Sequence, residues 1–124
     1  MACRGIRGAT TVELNTREAI LDATREMLGE IIARNDVKTE DVASAYFSTT
    51  PDLNAEFPAV AARADFGWQH AALMCGHEMH VPGSLPMCLR VTVMVNTDLA
   101  QSEMKHVYLR GAAVLRPDLA KQPS

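Results

Sequence analysis

The sequence lacks the features of a membrane or secreted protein. No stretch approaches the roughly 18 consecutive apolar residues of a membrane span, and the N-terminus has no apolar core of a signal peptide. The three cysteines are odd in number and follow no disulfide spacing. We therefore expect a cytoplasmic protein with reduced thiols and no membrane partner.

An excess of basic charge is also absent. Twelve Lys and Arg residues stand against fifteen Asp and Glu, which gives a net charge of −3. A nucleic-acid-binding protein needs a basic face, so no nucleic-acid partner is expected. The length of 124 residues suits one domain, which we place at residues 1–120, followed by a flexible tail at residues 121–124.

Lysine is scarce as well: nine of the twelve basic residues are arginines and only three are lysines. Arg90 interrupts residues 87–95, whose β-branched, apolar run predicts a strand covered on both faces. A guanidinium keeps its proton and makes two parallel hydrogen bonds with a carboxylate or phosphate. Further arginines lie near both ends of the chain, at Arg4, Arg7, Arg110 and Arg116. We infer an arginine-lined pocket for a small anion.

Hydrophobic periodicity predicts the order β, α, β, short α, β, β, β. The long helix covers residues 17–35, and the short helix begins at Pro58 and ends at Gly67. The strands are predicted at residues 3–12, 42–50, 69–75, 87–95 and 106–115, with a Gly/Pro-rich loop at residues 76–86. One long helix covers only one face of such a sheet. Another copy of the chain is the simplest cover for the second face, in a closed oligomer.

The segment from Cys75 to His80 combines a thiol, two imidazoles and a carboxylate. Metalloprotease helices place their histidines four positions apart, whereas His77 and His80 are three apart between glycines and prolines. No metal site is therefore expected. Glu78 is either a solvated loop charge or an acceptor for a substrate hydroxyl.

Two further residues have both a structural and a functional interpretation. Arg63 in an alanine-rich helix needs no explanation beyond exposure. Tyr108 is either a packing aromatic or a hydroxyl that reaches an anion.

Several segments together resemble the small, single-domain, trimeric class of chorismate mutase. They are RGIRGATTV at residues 4–12, TPDL at 50–53, FPA at 57–59, RV at 90–91, HVYL at 106–109 and VLRPDL at 114–119. The resemblance implies an α+β fold: a mixed five-stranded sheet with one long and one short helix on one face, trimerising sheet to sheet into a pseudo-barrel. It also implies active sites between adjacent subunits of the homotrimer.

The implied activity is an isomerase reaction, the intramolecular Claisen rearrangement of chorismate to prephenate in phenylalanine and tyrosine biosynthesis, without cofactor or metal. The implied catalytic residues are Arg7, Glu78 and Arg90. The implied substrate-binding residues are Arg7, Phe57, Ala59, Arg63, Leu73, Met74, Cys75, Glu78, Arg90, Tyr108, Leu115 and Arg116. The segment from Phe57 to Arg63 forms one wall and the arginine-bearing strands the other. Met74 departs from relatives that have a small hydroxyl residue there.

Two other functions fit the same residues. A trimeric imine deaminase or hydrolase of similar architecture would also hold a carboxylate with arginine, since one fold serves several chemistries. A non-catalytic trimer that binds a small anion is the second alternative. Incorporation of solvent oxygen into product distinguishes the hydrolase, and absence of turnover distinguishes the binding protein.

Overall fold

The computed structural model describes residues 1–115; Arg116 and the tail at residues 121–124 lie outside the described residues. The strands are β1 (Ala2–Thr11), β2 (Val42–Thr49), β3 (Ala72–His77), β4 (Cys88–Thr97) and β5 (Val107–Tyr108). The helices are α1 (Arg17–Asn35) and α2 (Ala59–Phe66), and short 3₁₀ turns lie at Thr39–Asp41, Gln101–Glu103 and Arg110–Leu115.

The five strands form one mixed sheet in the order β3-β2-β4-β1-β5. β4 lies antiparallel to both β1 and β2, whereas β3 runs parallel to β2 and β5 runs parallel to β1. This arrangement confirms the predicted α+β class and the mixed five-stranded sheet. None of the helices in residues 1–115 is long and apolar enough to cross a membrane.

Helix α1 begins and ends where the sequence predicts. The Thr16 side chain accepts a hydrogen bond of 3.1 Å from the Ala19 amide, and Asp36 ends the helix in the left-handed region at φ 49°. Its buried face packs against β1 at Gly8, where an added Cβ would lie 2.8 Å from Ile31 Cδ1. A residue without a side chain thus lets α1 approach the sheet closely.

Helix α2 covers the same side of the sheet as α1, and the two helices contact each other. Pro58 occupies its N-cap position, and Gly67 ends it at φ 70°. The backbone amide of Gly67 donates to the Ala62 carbonyl, which is the expected glycine cap. The prediction of both helices on one face is confirmed.

The fourth strand is covered on one side only within this chain. Leu89, Val91 and Val93 are buried beneath the helices, whereas Arg90 and Thr92 on the alternate side are half-buried. We call the sheet surface turned away from α1 and α2 the open face. Its residues are those available to a ligand or to a second subunit.

The prediction of a strand at residues 106–115 is wrong beyond its first few residues. β5 contains only Val107 and Tyr108, because Arg110 adopts a positive φ of 51° and turns the chain into a 3₁₀ segment. The Gly111 amide then donates to Thr11 Oγ1 at 3.1 Å. This contact attaches the segment to the end of β1.

The third strand also differs from its prediction. It begins at Ala72, three residues after the predicted start, and it includes Gly76 and His77, which were expected in a loop. Parallel pairing with β2 continues through Ser48 with Gly76 and Thr49 with His77. Strand pairing overrides the local tendency of Gly76 to form a turn.

Candidate active site

Strand register builds the floor of a cavity on the open face. Residues that pair directly across neighbouring strands share a face. One row of paired residues crosses all five strands and contains Gly76, Ser48, Arg90, Ala9 and Tyr108. Glycine, serine and alanine are small, so the floor is low on both sides of Arg90. The adjacent row contains Met74, Tyr46, Thr92 and Arg7.

These rows enclose a cavity of about 290 Å³. Its charged side chains are Arg7, Arg90 and Glu78. The complete lining consists of Arg7, Gly8, Ala9, Tyr46, Ser48, His77, Glu78, Arg90, Val91, Thr92 and Tyr108. The structure therefore brings together four residues that the resemblance implied: Arg7, Glu78, Arg90 and Tyr108.

Arg7 and Tyr108 form a fixed pair at the β1–β5 end of this cavity. Arg7 Nε and Nη2 donate to the Tyr108 phenolic oxygen at 3.1 and 2.5 Å. The guanidinium carbon also lies 6.0 Å from the centre of the tyrosine ring. Because the phenolic oxygen accepts both bonds, its own hydrogen remains free to donate to an anion. Guanidinium and phenol together present donors to one carboxylate.

Arg90 and Glu78 form a looser pair at the other end. Arg90 Nη1 lies 3.8 Å from Glu78 Oε2, and the two side chains are 42% and 38% exposed. An exposed pair at this distance is weak, so a ligand can replace it at little free-energy cost. The backbone holds Glu78 in place, since its amide donates to the Thr49 carbonyl at 2.7 Å and its Oε1 accepts from the Met79 amide at 2.9 Å.

The Cys88 thiol lies next to Arg90 on the same strand. Burial raises the pKa of Cys88, although a hydrogen bond and the positive charge of Arg90 lower it in part. The thiol therefore stays neutral at physiological pH.

A separate groove contains Phe57, one of the implied residues of the other wall. Phe57 and Cys75 line this groove of about 370 Å³, and His77 borders both it and the arginine cavity. Burial raises the pKa of the Cys75 thiol, while a hydrogen bond with the Ala59 backbone and the charge of Arg63 lower it. Cys75, Ala59 and Arg63 are thus neighbours at the start of α2, where a neutral thiol faces the groove.

The remaining implied residues have different positions. Leu73 is half-buried against the hydrophobic core, and Met74 is 63% exposed on the open face. Leu115 packs beside the cluster of Ala9, Tyr108 and Ala112, so the 3₁₀ segment reaches the arginine cavity. Arg116 lies outside the described residues.

Sequence reasoning missed four polar residues of the arginine cavity: Tyr46, Ser48, His77 and Thr92. Ser48 and Thr92 belong to strands that were correctly predicted, but their place beside Arg90 and Arg7 depends on the register between strands. No local signal in the sequence fixes that register. Within residues 1–115, no three His, Cys, Asp or Glu side chains form a group that could hold a metal ion.

Comparison with known proteins gives one consistent family. The family model described as chorismate mutase type I matches residues 3–119. Chorismate mutase AroH of Bacillus subtilis is 51% identical over 120 residues, which cover 97% of this chain and 94% of that protein. Chorismate mutase AroH of Thermus thermophilus is 49% identical over 117 residues, covering 94% and 95% of the two chains.

A solved structure shows the same fold. The chorismate mutase from Clostridium thermocellum superimposes with a TM-score of 0.86 at 49% identity, over 89% of this chain and 97% of that one. The match to the family model, at residues 3–119, spans both walls described above. From its sequence, its fold and the position of its arginine cavity, this chain belongs to the chorismate mutase type I family.

Proposed function

We propose that this chain rearranges chorismate to prephenate in the arginine cavity of the open face, and that a second subunit completes the site. The observation that carries the proposal is that a single cavity contains two arginines, Arg7 and Arg90, and one carboxylate, Glu78. Chorismate is a dianion with an enolpyruvyl ether and one hydroxyl. Two arginines can hold its carboxylates, and Glu78 can accept from its hydroxyl.

The chemistry requires positioning and charge stabilisation. One ether C–O bond breaks while one C–C bond forms within the same molecule, and no proton or electron passes to the protein. Partial negative charge develops on the ether oxygen as its bond stretches. A donor held in place for such an oxygen contributes roughly 3–4 kcal/mol of transition-state stabilisation. Holding the reacting ends of the substrate together can contribute as much again.

The four residues of the cavity that the resemblance implied then have distinct roles. Arg7 and Tyr108 bind a carboxylate with the free donors of their fixed pair. Arg90 leaves Glu78 and donates to the ether oxygen and the adjacent carboxylate, while Glu78 turns to the substrate hydroxyl. Cys75, Leu73 and Met74 line the site from the other wall, and Leu115 lies at its edge beside Tyr108.

The second wall belongs to a neighbouring subunit in this proposal. Phe57 is 66% exposed in the single chain and is therefore available for contact with a partner. It lies in the separate groove with Cys75, and Arg63 lies close to that thiol. A homotrimer that packs open face to open face would bring Phe57, Ala59 and Arg63 of one subunit to the arginine cavity of the next. Closed symmetry makes all three sites equivalent.

The direct test is the loss of chorismate ultraviolet absorbance with the purified protein, beside Arg90→Ala. Prephenate is verified by its conversion to phenylpyruvate in acid. We expect rapid conversion by the wild type and a loss of at least about a hundredfold in the variant. A folded wild-type protein that leaves chorismate unchanged would contradict the proposal, and solvent oxygen in a product would point to hydrolysis instead.

A further inference from the structure

The missing side chain at Gly76 in β3 leaves space for Tyr46 of the neighbouring strand β2 beside the arginine cavity. Met74, Gly76 and Glu78 alternate along the open face, and Gly76 has no side chain to fill the space between the other two. A Cβ added at Gly76 would overlap the hydroxyl oxygen of Tyr46 and lie 3.3 Å from Tyr46 Cζ. The phenol of Tyr46 therefore occupies the place where a side chain at position 76 would be.

The direction of this phenol follows from the register. Tyr46 pairs with Met74 and Thr92, one row away from the row that contains Gly76 and Arg90. Its side chain leans along the strand, so its hydroxyl reaches the floor of the cavity above Gly76, two residues before Glu78. The side chain is 45% exposed, and its hydroxyl forms no side-chain hydrogen bond with any of residues 1–115. A donor thus lies in the cavity without an acceptor among residues 1–115 of the same chain.

The hydroxyl of the bound substrate can accept a hydrogen bond from the Tyr46 phenol. A hydroxyl carries one proton to donate and two lone pairs that accept. The ionised Glu78 only accepts, so it satisfies the proton of the substrate hydroxyl and leaves the lone pairs without a partner. Arg7 and Arg90 are required for the carboxylates and the ether oxygen.

We propose that Tyr46 is a further substrate-binding residue, whose phenolic O–H donates to the substrate hydroxyl while Glu78 accepts from it. Gly76 is required for this arrangement because any side chain there would displace the phenol. The proposal rests on the proposed function and extends it to the recognition of one group of the substrate.

The test is a thermodynamic cycle, like a double-mutant cycle, in which one hydroxyl is removed from the protein and one from the substrate. Tyr46→Phe keeps the ring and removes the phenolic oxygen, and a chorismate analogue that lacks the ring hydroxyl removes its partner. We expect Tyr46→Phe to lower kcat/KM for chorismate about three- to tenfold and to leave kcat/KM for the analogue unchanged. Ser44→Ala is the matched control, because it removes a hydroxyl from the same face of β2 outside the cavity.

An equal loss with both substrates would assign Tyr46 to packing and overturn the proposal, and so would an unchanged kcat/KM with chorismate. Gly76→Ala supplies a second measurement. In the wild-type background we expect it to lower kcat/KM for chorismate but not for the analogue. In the Tyr46→Phe background we expect it to lower kcat/KM little further. Additive losses in the double variant would separate Gly76 from Tyr46 and contradict the proposed link. A wild type inactive towards chorismate would instead overturn the proposed function itself.

Discussion

At the scale of single residues, the proposed mechanism depends on the geometry of a few donors more than on their charge. Arg90 pairs only loosely with Glu78, whereas Arg7 is fixed by two hydrogen bonds to Tyr108. The first arginine is free to change partners when a substrate arrives, and the second is already oriented. These two states fit the roles proposed for them, Arg90 as a transition-state donor and Arg7 as a carboxylate anchor.

Replacing Arg90 by lysine tests this distinction between charge and geometry. We expect Arg90→Lys to lower kcat about a hundred- to thousandfold, because an ammonium cannot reproduce the planar pair of donors. Chorismate turnover is the measurement, with circular dichroism to establish the fold. Arg34→Lys is the matched control, since Arg34 pairs with Glu30 on the surface of α1. Near-wild-type turnover in Arg90→Lys would remove Arg90 from the proposed role.

The half-buried thiol of Cys75 and the buried thiol of Cys88 predict a dependence of stability on alkaline pH. Burial raises the pKa of Cys75 and Cys88 above the ordinary value of 9.0, so the folded state retains their protons to higher pH than the unfolded chain does. Their contribution to the free energy of unfolding is therefore full below the ordinary pKa and declines as pH rises above it.

Urea unfolding at about pH 8 and about pH 10 measures this decline. We expect the wild type to lose more stability between the two pH values than Cys75→Ala/Cys88→Ala does. Cys3→Ala, which removes an exposed thiol, should behave like the wild type. Equal losses in all three proteins would contradict the assignment.

At the scale of elements, the close contact of α1 with β1 depends on one glycine. An added Cβ at Gly8 would lie 2.8 Å from Ile31 Cδ1, whereas at Gly29 it would meet nothing within 4 Å. We expect Gly8→Ala to lower the free energy of unfolding by about 1–3 kcal/mol through overpacking. Gly29→Ala should raise it by up to about 1 kcal/mol, because alanine favours a helix. Denaturant titration of both variants gives the comparison, and a neutral Gly8→Ala would show that α1 can move.

The elements also show how far a sequence can be interpreted without a structure. Thr16 and Gly67 are local signals at helix ends, so both helices could be predicted closely. The end of β5 depends on the left-handed backbone of Arg110 and on its bidentate pair with Glu26, two contacts that no local pattern announces. Likewise, the family resemblance supplied Arg7 and Arg90, but the place of Ser48 and Tyr46 beside them required the strand register.

At the scale of the whole molecule, the two walls of the proposed site lie in different cavities of one chain. In the proposed homotrimer, a single subunit would contain two half-sites and no complete one. Assembly would then be a condition for catalysis, so activity should fall when dilution separates the subunits.

Mixing variants defective in opposite walls tests this arrangement. Arg90→Ala removes the arginine wall, and Phe57→Ala/Arg63→Ala removes the other. Random trimers from equal amounts of the two should regain about a quarter of the wild-type sites, because each site takes one wall from each of two neighbours. The measurement is chorismate turnover after joint refolding. Arg90→Ala mixed with Arg7→Ala is the control, since both defects lie in one wall. Recovery no greater than in this control would place the site within one chain.

Strand β1 separates the hydrophobic core from the arginine cavity by a single layer of backbone. Gly8 faces Ile31 and Met27 in the core, while Arg7 and Ala9 on either side of it face the cavity. No intervening side chain can absorb a displacement of the helix, so a change in core volume beneath Gly8 shifts the guanidinium anchor directly. At this strand, core substitutions that the fold tolerates can still lower activity, because they move Arg7.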